Sequence, residues 1–325
     1  MFAVVAPITS LNHQAPSATR FAQLSKVRIA YETFGNPENP AMLMIMGLGA
    51  QMLVWPDALC QVLANSGLYI IRFDNRDIGL SSQFDKHPTS LTLNLIRQKF
   101  GLPSSAPYSL EDMAQDAAEL LDHLNIKRAH IVGASMGGMI AQVLAACCPE
   151  RLISLSVIMT SSGFSGIPTF SPKLAISLIR KRTFESQKHL LEHKVKIIRA
   201  IGSSSYPSPD LELMSRLSRV LERNDNDAPG TRRQTAAIMA TGALDRYQRI
   251  IRCPTQVIHG DEDRLIRPEQ GKEVARKIEG SRFEQIHGMG HDFPTPLLAR
   301  VCRLLTQHAS SHQNIRILAE SQNHL

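Results

Sequence analysis

The chain has 325 residues, 36 Lys and Arg against 29 Asp and Glu (formal net charge +7), and 43% hydrophobic residues. That balance fits a globular protein rather than a disordered or fibrous one, and the length allows a large core without crosslinks. No run approaches the ~18 uninterrupted apolar residues of a membrane span, and no H-E-x-x-H, C-x-x-C or P-loop spacing points to a metal or nucleotide, so neither metal nor cofactor is expected.

The five cysteines cannot all pair within one chain. Cys147 and Cys148 are adjacent, and Cys60, Cys253 and Cys302 are scattered, which reads as small buried apolar residues in a reducing, cytoplasmic compartment. The start, Met1-Phe2-Ala3-Val4-Val5-Ala6-Pro7, lacks a basic region and its apolar run is broken by Pro7, so no secretory leader is expected.

In chain order, residues 1–24 read as a lead-in. Val27 to Phe34 reads as a strand closed by Gly35-Asn36-Pro37. Ala41 to Met46 is a short apolar run, as suits a buried parallel strand, and opens into Gly47-Leu48-Gly49, where the backbone can approach a ligand. Pro56 starts a helix to about Asn65, and Leu68 to Phe73 is the next strand. Ser109-Leu110-Glu111-Asp112 begins a long amphipathic helix in which Met113, Ala117, Leu120, Leu121 and Leu124 recur at helical spacing.

Ala129 to Val132 is a strand, Gly137 to Cys148 a helix stopped by Pro149, and Leu152 to Met159 a strand. From 163 to 247 the periodicity is helical throughout. Strand character returns at Thr255 to His259, followed by a helix over 268–278, a strand over 281–286 and a helix after Pro296. Alternating strands and helices predict an α/β fold with a mostly parallel central sheet flanked by helices. Its core is expected at 25–162 and 248–310, with 163–247 an inserted helical cap and 311–325 a polar tail.

Gly133-Ala134-Ser135-Met136-Gly137 is a G-x-S-x-G pattern that chance alone supplies in about one chain in ten of this length. Here a predicted strand precedes it and a predicted helix follows, the context in which such a turn projects a serine above a sheet edge. A nucleophilic serine needs a base, and the base an orienting acid. His291, in Gly288-Met289-Gly290-His291-Asp292 beyond the last strand, is the candidate base ahead of His287 and His259. In His259-Gly260-Asp261-Glu262-Asp263 the candidate acid is Asp263, with Asp261 the runner-up. The backbone N–H groups of Met136 and Leu48 are the candidate oxyanion donors.

Together with Met46-Gly47-Leu48-Gly49-Ala50-Gln51 and Arg72-Phe73-Asp74-Asn75-Arg76-Asp77-Ile78-Gly79-Leu80-Ser81, these motifs resemble, in order, α/β-hydrolases close to the aclacinomycin methylesterase group. The likeness runs from about Val27 to Thr306 and is weakest in the cap. It implies serine hydrolysis of carboxylic esters, with Ser135, Asp263 and His291 at the triad positions and no cofactor. Many relatives carry His where Met46 stands, so hydrogen bonding around the oxyanion loop is expected to differ. The Asp74 to Ser81 segment is expected to brace loops.

The expected substrate is a small, fairly apolar ester. Trp55 and the cap aromatics Phe164, Phe170, Phe184 and Tyr206 are candidate pocket walls, each also readable as core. The same triad could serve acyl transfer, lactone, C–C or perhydrolase chemistry, or the fold could be a ligand-binding receptor. Between Ser171 and Ala200 stand eight Lys or Arg and two Glu. That basic stretch reads as a solvated face; acidic lipid, nucleic acid or an anionic substrate are the alternatives, and no nucleic-acid partner or oligomeric state is assigned.

Overall fold

The structure is a computed structural model that describes residues 16–85, 87, 89–164, 186–224 and 227–322. Eight strands form one sheet in the order β1-β2-β4-β3-β5-β6-β7-β8. They are β1 (Arg20–Gln23), β2 (Arg28–Phe34), β3 (Ala41–Ile45), β4 (Tyr69–Phe73), β5 (Ala129–Ala134), β6 (Leu152–Ile158), β7 (Thr255–Gly260) and β8 (Arg282–Ile286). β2 pairs antiparallel with β1 and β4, and every other pairing is parallel. The sheet therefore begins before residue 25, because β1 zips onto β2. The expected lead-in thus contributes a strand.

Helices cover both faces, which is why β3, β4 and β5 are buried along their whole lengths. Leu43 and Ile45 face a cluster with α3 (Leu110–His123) and α4 (Met136–Cys147), while Met42 and Met44 face one with α1 (Asp57–Asn65) and the C-terminal helix. α3 starts at a capping box in which Ser109 and Asp112 satisfy each other's backbone N–H. α2 (Leu91–Lys99), for which periodicity gave no expectation, follows Ser90.

Between β6 and β7 lie α5 (Gln187–Ile201), α6 (Asp210–Arg223), α7 (Ala228–Thr241) and the short α8 (Asp245–Gln248). The inserted segment leaves and returns through a narrow neck: Gly163 bridges Ala243, and Leu244 N donates to Ser162 O. Phe164 sits at this neck, its N–H donating to Gly242 O. Phe170, Phe184 and the basic residues from Lys173 to Arg182 lie outside the described residues. The chain ends with α9 (Pro268–Lys277) and α10 (Leu298–Gln322), so the last helix continues past residue 310 instead of giving way to a tail there. All five cysteines are free; Cys60 and Cys302 are buried as expected, but Cys147 is exposed.

At the N-terminal ends of β5, β6 and β7, away from the loops discussed below, three histidines gather. His130 Nδ1 is 2.8 Å from Ser154 Oγ, His308 Nε2 is 3.3 Å from Pro254 O, and the His308 and His312 rings stack edge-on at 4.9 Å. Burial pushes His130 down to about 4, helped by the facing His308 and His312. Burial likewise pushes His308 down to about 4, with His312 and Arg282 adding repulsion. Lowered values mean that the unfolded chain takes up protons first. The stability contributed by the neutral rings is complete above the unfolded value of ~6.5 and is lost as pH falls from there towards 4. Urea unfolding should show stability falling between pH 7 and 4.5. His130→Gln/His308→Gln should flatten that slope; an unchanged slope would contradict the account.

Candidate active site

The chain leaves β3 towards β4 on one side and leaves β5 towards β6 on the other. The carboxyl ends of β3 and β5 therefore flank the point where strand order reverses, where open α/β sheets form a crevice. Ser135 stands at the end of β5 with φ 55° and ψ −121°, a left-handed conformation rare for a side-chain-bearing residue. The turn is held on both sides: Ser135 N donates to Ile158 O at 2.9 Å, and Thr160 Oγ1 donates to Ser135 O at 2.7 Å. Only glycine fits around it. A Cβ on Gly133 would stand 2.2 Å from Gly137 O, and one on Gly137 2.0 Å from Ile45 O. Ser135 remains partly accessible.

Met136 is the first residue of α4, so its N–H belongs to the helix end that has no intrahelical acceptor. The β3 loop approaches from the other side, with Gly47 so close that a Cβ there would sit 3.5 Å from Ser135 Oγ. Leu48 follows it, and the loop is anchored at two points, the second through a Gln234 that is itself tied down. Asn75 Nδ2 donates to Met46 O at 2.8 Å, Gly49 N donates to Gln234 Oε1 at 2.9 Å, and Gln234 Nε2 donates to Arg76 O at 2.9 Å. Asn75 thus fixes the peptide between Met46 and Gly47. Gln234, on α7, was not singled out from sequence, since a lone glutamine on a helix carries no signal of its partner.

Asp263 and His291 leave the carboxyl ends of β7 and β8, two and three strands from β5 along the same sheet edge. His291 Nδ1 is 2.8 Å from Asp263 Oδ2, with side-chain exposures of 9% and 0%. Asp263 Oδ1 accepts from Leu265 N and Ile266 N at 2.9 and 2.8 Å. His259, fully buried, places Nε2 3.4 Å from Asp263 Oδ2 and 2.9 Å from Ile266 O. Burial alone would raise the Asp263 carboxyl, but the charge of His291 and the bonds from His259 and His291 overcome it and hold the group well below the usual carboxylate range. His259, which ranked behind His291 as a candidate base, instead braces Asp263.

The runner-up residues form a second pair: His287 Nδ1 is 2.7 Å from Asp261 Oδ2. Its histidine is 90% exposed, against 9% for His291, so water screens it. Among the described residues no hydrogen bond joins Ser135 Oγ to the His291 ring, a contact that often tightens only around bound substrate.

The inserted segment straps both loops. His291 N donates to Ile201 O at 2.8 Å, and Ser203 N and Oγ donate to Asp292 Oδ1 at 3.0 and 2.6 Å. Ser204 N and Oγ donate to Glu262 Oε2 at 3.0 and 2.5 Å, while Ser205 Oγ bonds Glu262 Oε1. The residues beside Asp263 and His291 are therefore both tied to one serine-rich turn. Further round, buried ion pairs fasten α6 and α7 to the Asp74–Ser81 segment: Arg223 Nη1 to Asp74 Oδ2 at 2.9 Å, and Arg233 Nη2 to Asp77 Oδ1 at 2.7 Å. Asp74 also accepts from Met52 N, and Asp77 from Phe84 N and Tyr108 Oη, the bracing expected of this segment.

Trp55 does not wall an open pocket. It has no exposed surface and packs in the core, its ring 4.9 Å from that of Phe293, because the helix it precedes folds inward against α10. Among the described residues no group of three His, Cys, Asp or Glu could hold a metal ion.

A mostly parallel sheet under helices on both faces, with an excursion between β6 and β7 and a strained serine turn at the strand-order reversal, defines an α/β-hydrolase. The chain belongs to the α/β-hydrolase fold family, whose model matches residues 40–294. It is 28% identical over 307 residues to rhodomycin D methylesterase DauP of Streptomyces sp. strain C5, covering 87% of this chain and 97% of the relative. Rhodomycin D methylesterase DnrP of Streptomyces peucetius matches with the same identity and coverage. Among solved structures, the enol-lactonase of Burkholderia xenovorans LB400 superposes with a TM-score of 0.67 at 19% identity, over 90% of this chain and all of that one. That likeness concerns the fold.

Proposed function

We propose that this protein is a carboxylic ester hydrolase in which Ser135, His291 and Asp263 act as nucleophile, base and orienting acid. The observation that carries the reading is the buried Asp263–His291 pair on the sheet edge where the strained Ser135 turn stands. Asp263 keeps the proton on His291 Nδ1, so Nε2 is free to take the Ser135 proton as Oγ attacks the ester carbonyl. The carbonyl oxygen gains the electron pair and is met by the Leu48 and Met136 N–H groups. Collapse expels the alcohol, which leaves with the proton from His291, and water then clears the acyl-enzyme by the same steps in reverse order.

The methylesterase names of two relatives that match most of the chain support an ester substrate with a small alcohol. Segment 163–247 is assigned as the cap: its Ser203–Ser205 turn and Gln234 are tied to the loops that carry Asp263, His291 and Leu48, and Phe164 lies at its neck. The free cysteines, Cys147 exposed among them, suit a reducing cytoplasm. The wild-type protein should hydrolyse p-nitrophenyl acetate and butyrate, and methyl esters of larger apolar acids, and should be labelled by a fluorophosphonate. An ester panel read by mass spectrometry checks this; neither turnover nor labelling across the panel would overturn the reading.

A further inference from the structure

We propose that α2 and the loop after it form a docking surface for an anionic lipid membrane. A helix at a water surface normally buries its apolar side chains and exposes its polar ones. In α2 the one buried residue is instead polar. Asn94 is 1% exposed, whereas Leu93, Leu95, Ile96, Phe100 and Leu102 are 50% to 73% exposed. Such a cluster of large apolar side chains within ten residues marks an interaction site.

Polar ties hold this inverted arrangement in place. Ser90 Oγ caps the helix by accepting from Leu93 N at 3.2 Å. Asn94 clamps the returning loop, donating from Nδ2 to Ser105 O and accepting from Ser105 N, both at 2.8 Å. Arg97 Nε donates to Pro103 O at 2.7 Å, and Gln98 Nε2 donates to Met239 O of α7 at 3.2 Å. The apolar side chains are thus presented outward by a braced hairpin.

Charge selects the occupant. From Ser90 to Ser109, the span of α2 and the loop after it, the sequence has two basic residues, Arg97 and Lys99, and no Asp or Glu. A second copy of the same surface would bring like charges together, whereas an anionic headgroup layer would accept them while its acyl region takes the leucines and Phe100. The net charge of +7 adds long-range attraction. Among the described residues no helix is long and apolar enough to cross a membrane, so the contact is peripheral, and it is independent of the proposed hydrolysis.

The test is co-sedimentation of the full chain with phosphatidylcholine vesicles and with vesicles half phosphatidylglycerol, at low and high salt. Binding is expected to the anionic vesicles, weakened by salt. Leu95→Glu/Phe100→Glu should reduce it at least about tenfold, since each apolar side chain withdrawn from water favours binding by about that factor or more. Both positions are exposed, so the melting temperature and ester turnover of the variant should match wild type. No vesicle binding, binding that the double substitution leaves unchanged, or a wild-type dimer in light scattering that the substitution dissociates would each overturn the proposal.

Discussion

Ser135→Ala is expected to lower ester turnover by roughly 10⁴-fold or more and to abolish fluorophosphonate labelling. The methyl group cannot form an acyl-enzyme, so what remains is attack by water on an ester held against the Leu48 and Met136 N–H groups. The fold should survive. Gly133 and Gly137 shape the turn, and Ile158 O and Thr160 Oγ1 hold the Ser135 backbone, none of which involves Oγ. Alanine meets the same left-handed strain as serine, so stability should change by no more than about 1 kcal/mol. Turnover within about tenfold of wild type, in a protein with an unchanged melting curve, would place the nucleophile elsewhere.

Asp263→Asn should lower kcat by about 10³- to 10⁴-fold. The carboxylate accepts on both oxygens, from Leu265 and Ile266 N–H on one side and His291 on the other. An amide cannot do so. If its NH₂ faces His291, the ring must accept at Nδ1 and carry its proton on Nε2, where it can no longer take one from Ser135. If instead the NH₂ faces Leu265 and Ile266, three donors meet with no acceptor, and a buried unpaired donor costs about 1–3 kcal/mol. The variant should therefore lose activity, with some loss of stability as well. Asp261→Asn is the control: its exposed partner His287 is screened by water, and less than about a threefold change in kcat is expected. A larger loss in Asp261→Asn than in Asp263→Asn would transfer the role to the outer pair.

The particular residues show how much a single chain discloses. Ser135 was legible because its neighbours must be glycine for strand and helix to approach, so the requirement is local and written within five positions. His291 and Asp263 were legible through their places after successive strands. Asp261 and Asp263 stand in one short loop, and alternate residues of a loop leave little trace of which side chain turns inward. β1 escaped because four residues are too few for a period to emerge. α2 escaped because its apolar residues face outward, so its pattern does not describe a helix packed on a core.

Sequence by itself determined the alternation of strands and helices, the excursion after β6 and the residue types, Ser135, His291 and Asp263, on which the proposed chemistry rests. Those rest on local rules: backbone sterics at the elbow, apolar runs for buried strands and periodicity for covering helices. Tertiary structure alone decided that His259 stands behind Asp263, that Gln234 and Asn75 hold the loop after β3, that Ser203 to Ser205 tie Glu262 and Asp292, and that Trp55 lies in the core. Each of these contacts joins polar or aromatic groups far apart in the chain. A hydrogen bond needs its partners within about 3 Å in a fixed direction, and that condition is met only once the sheet order has brought their loops to one edge.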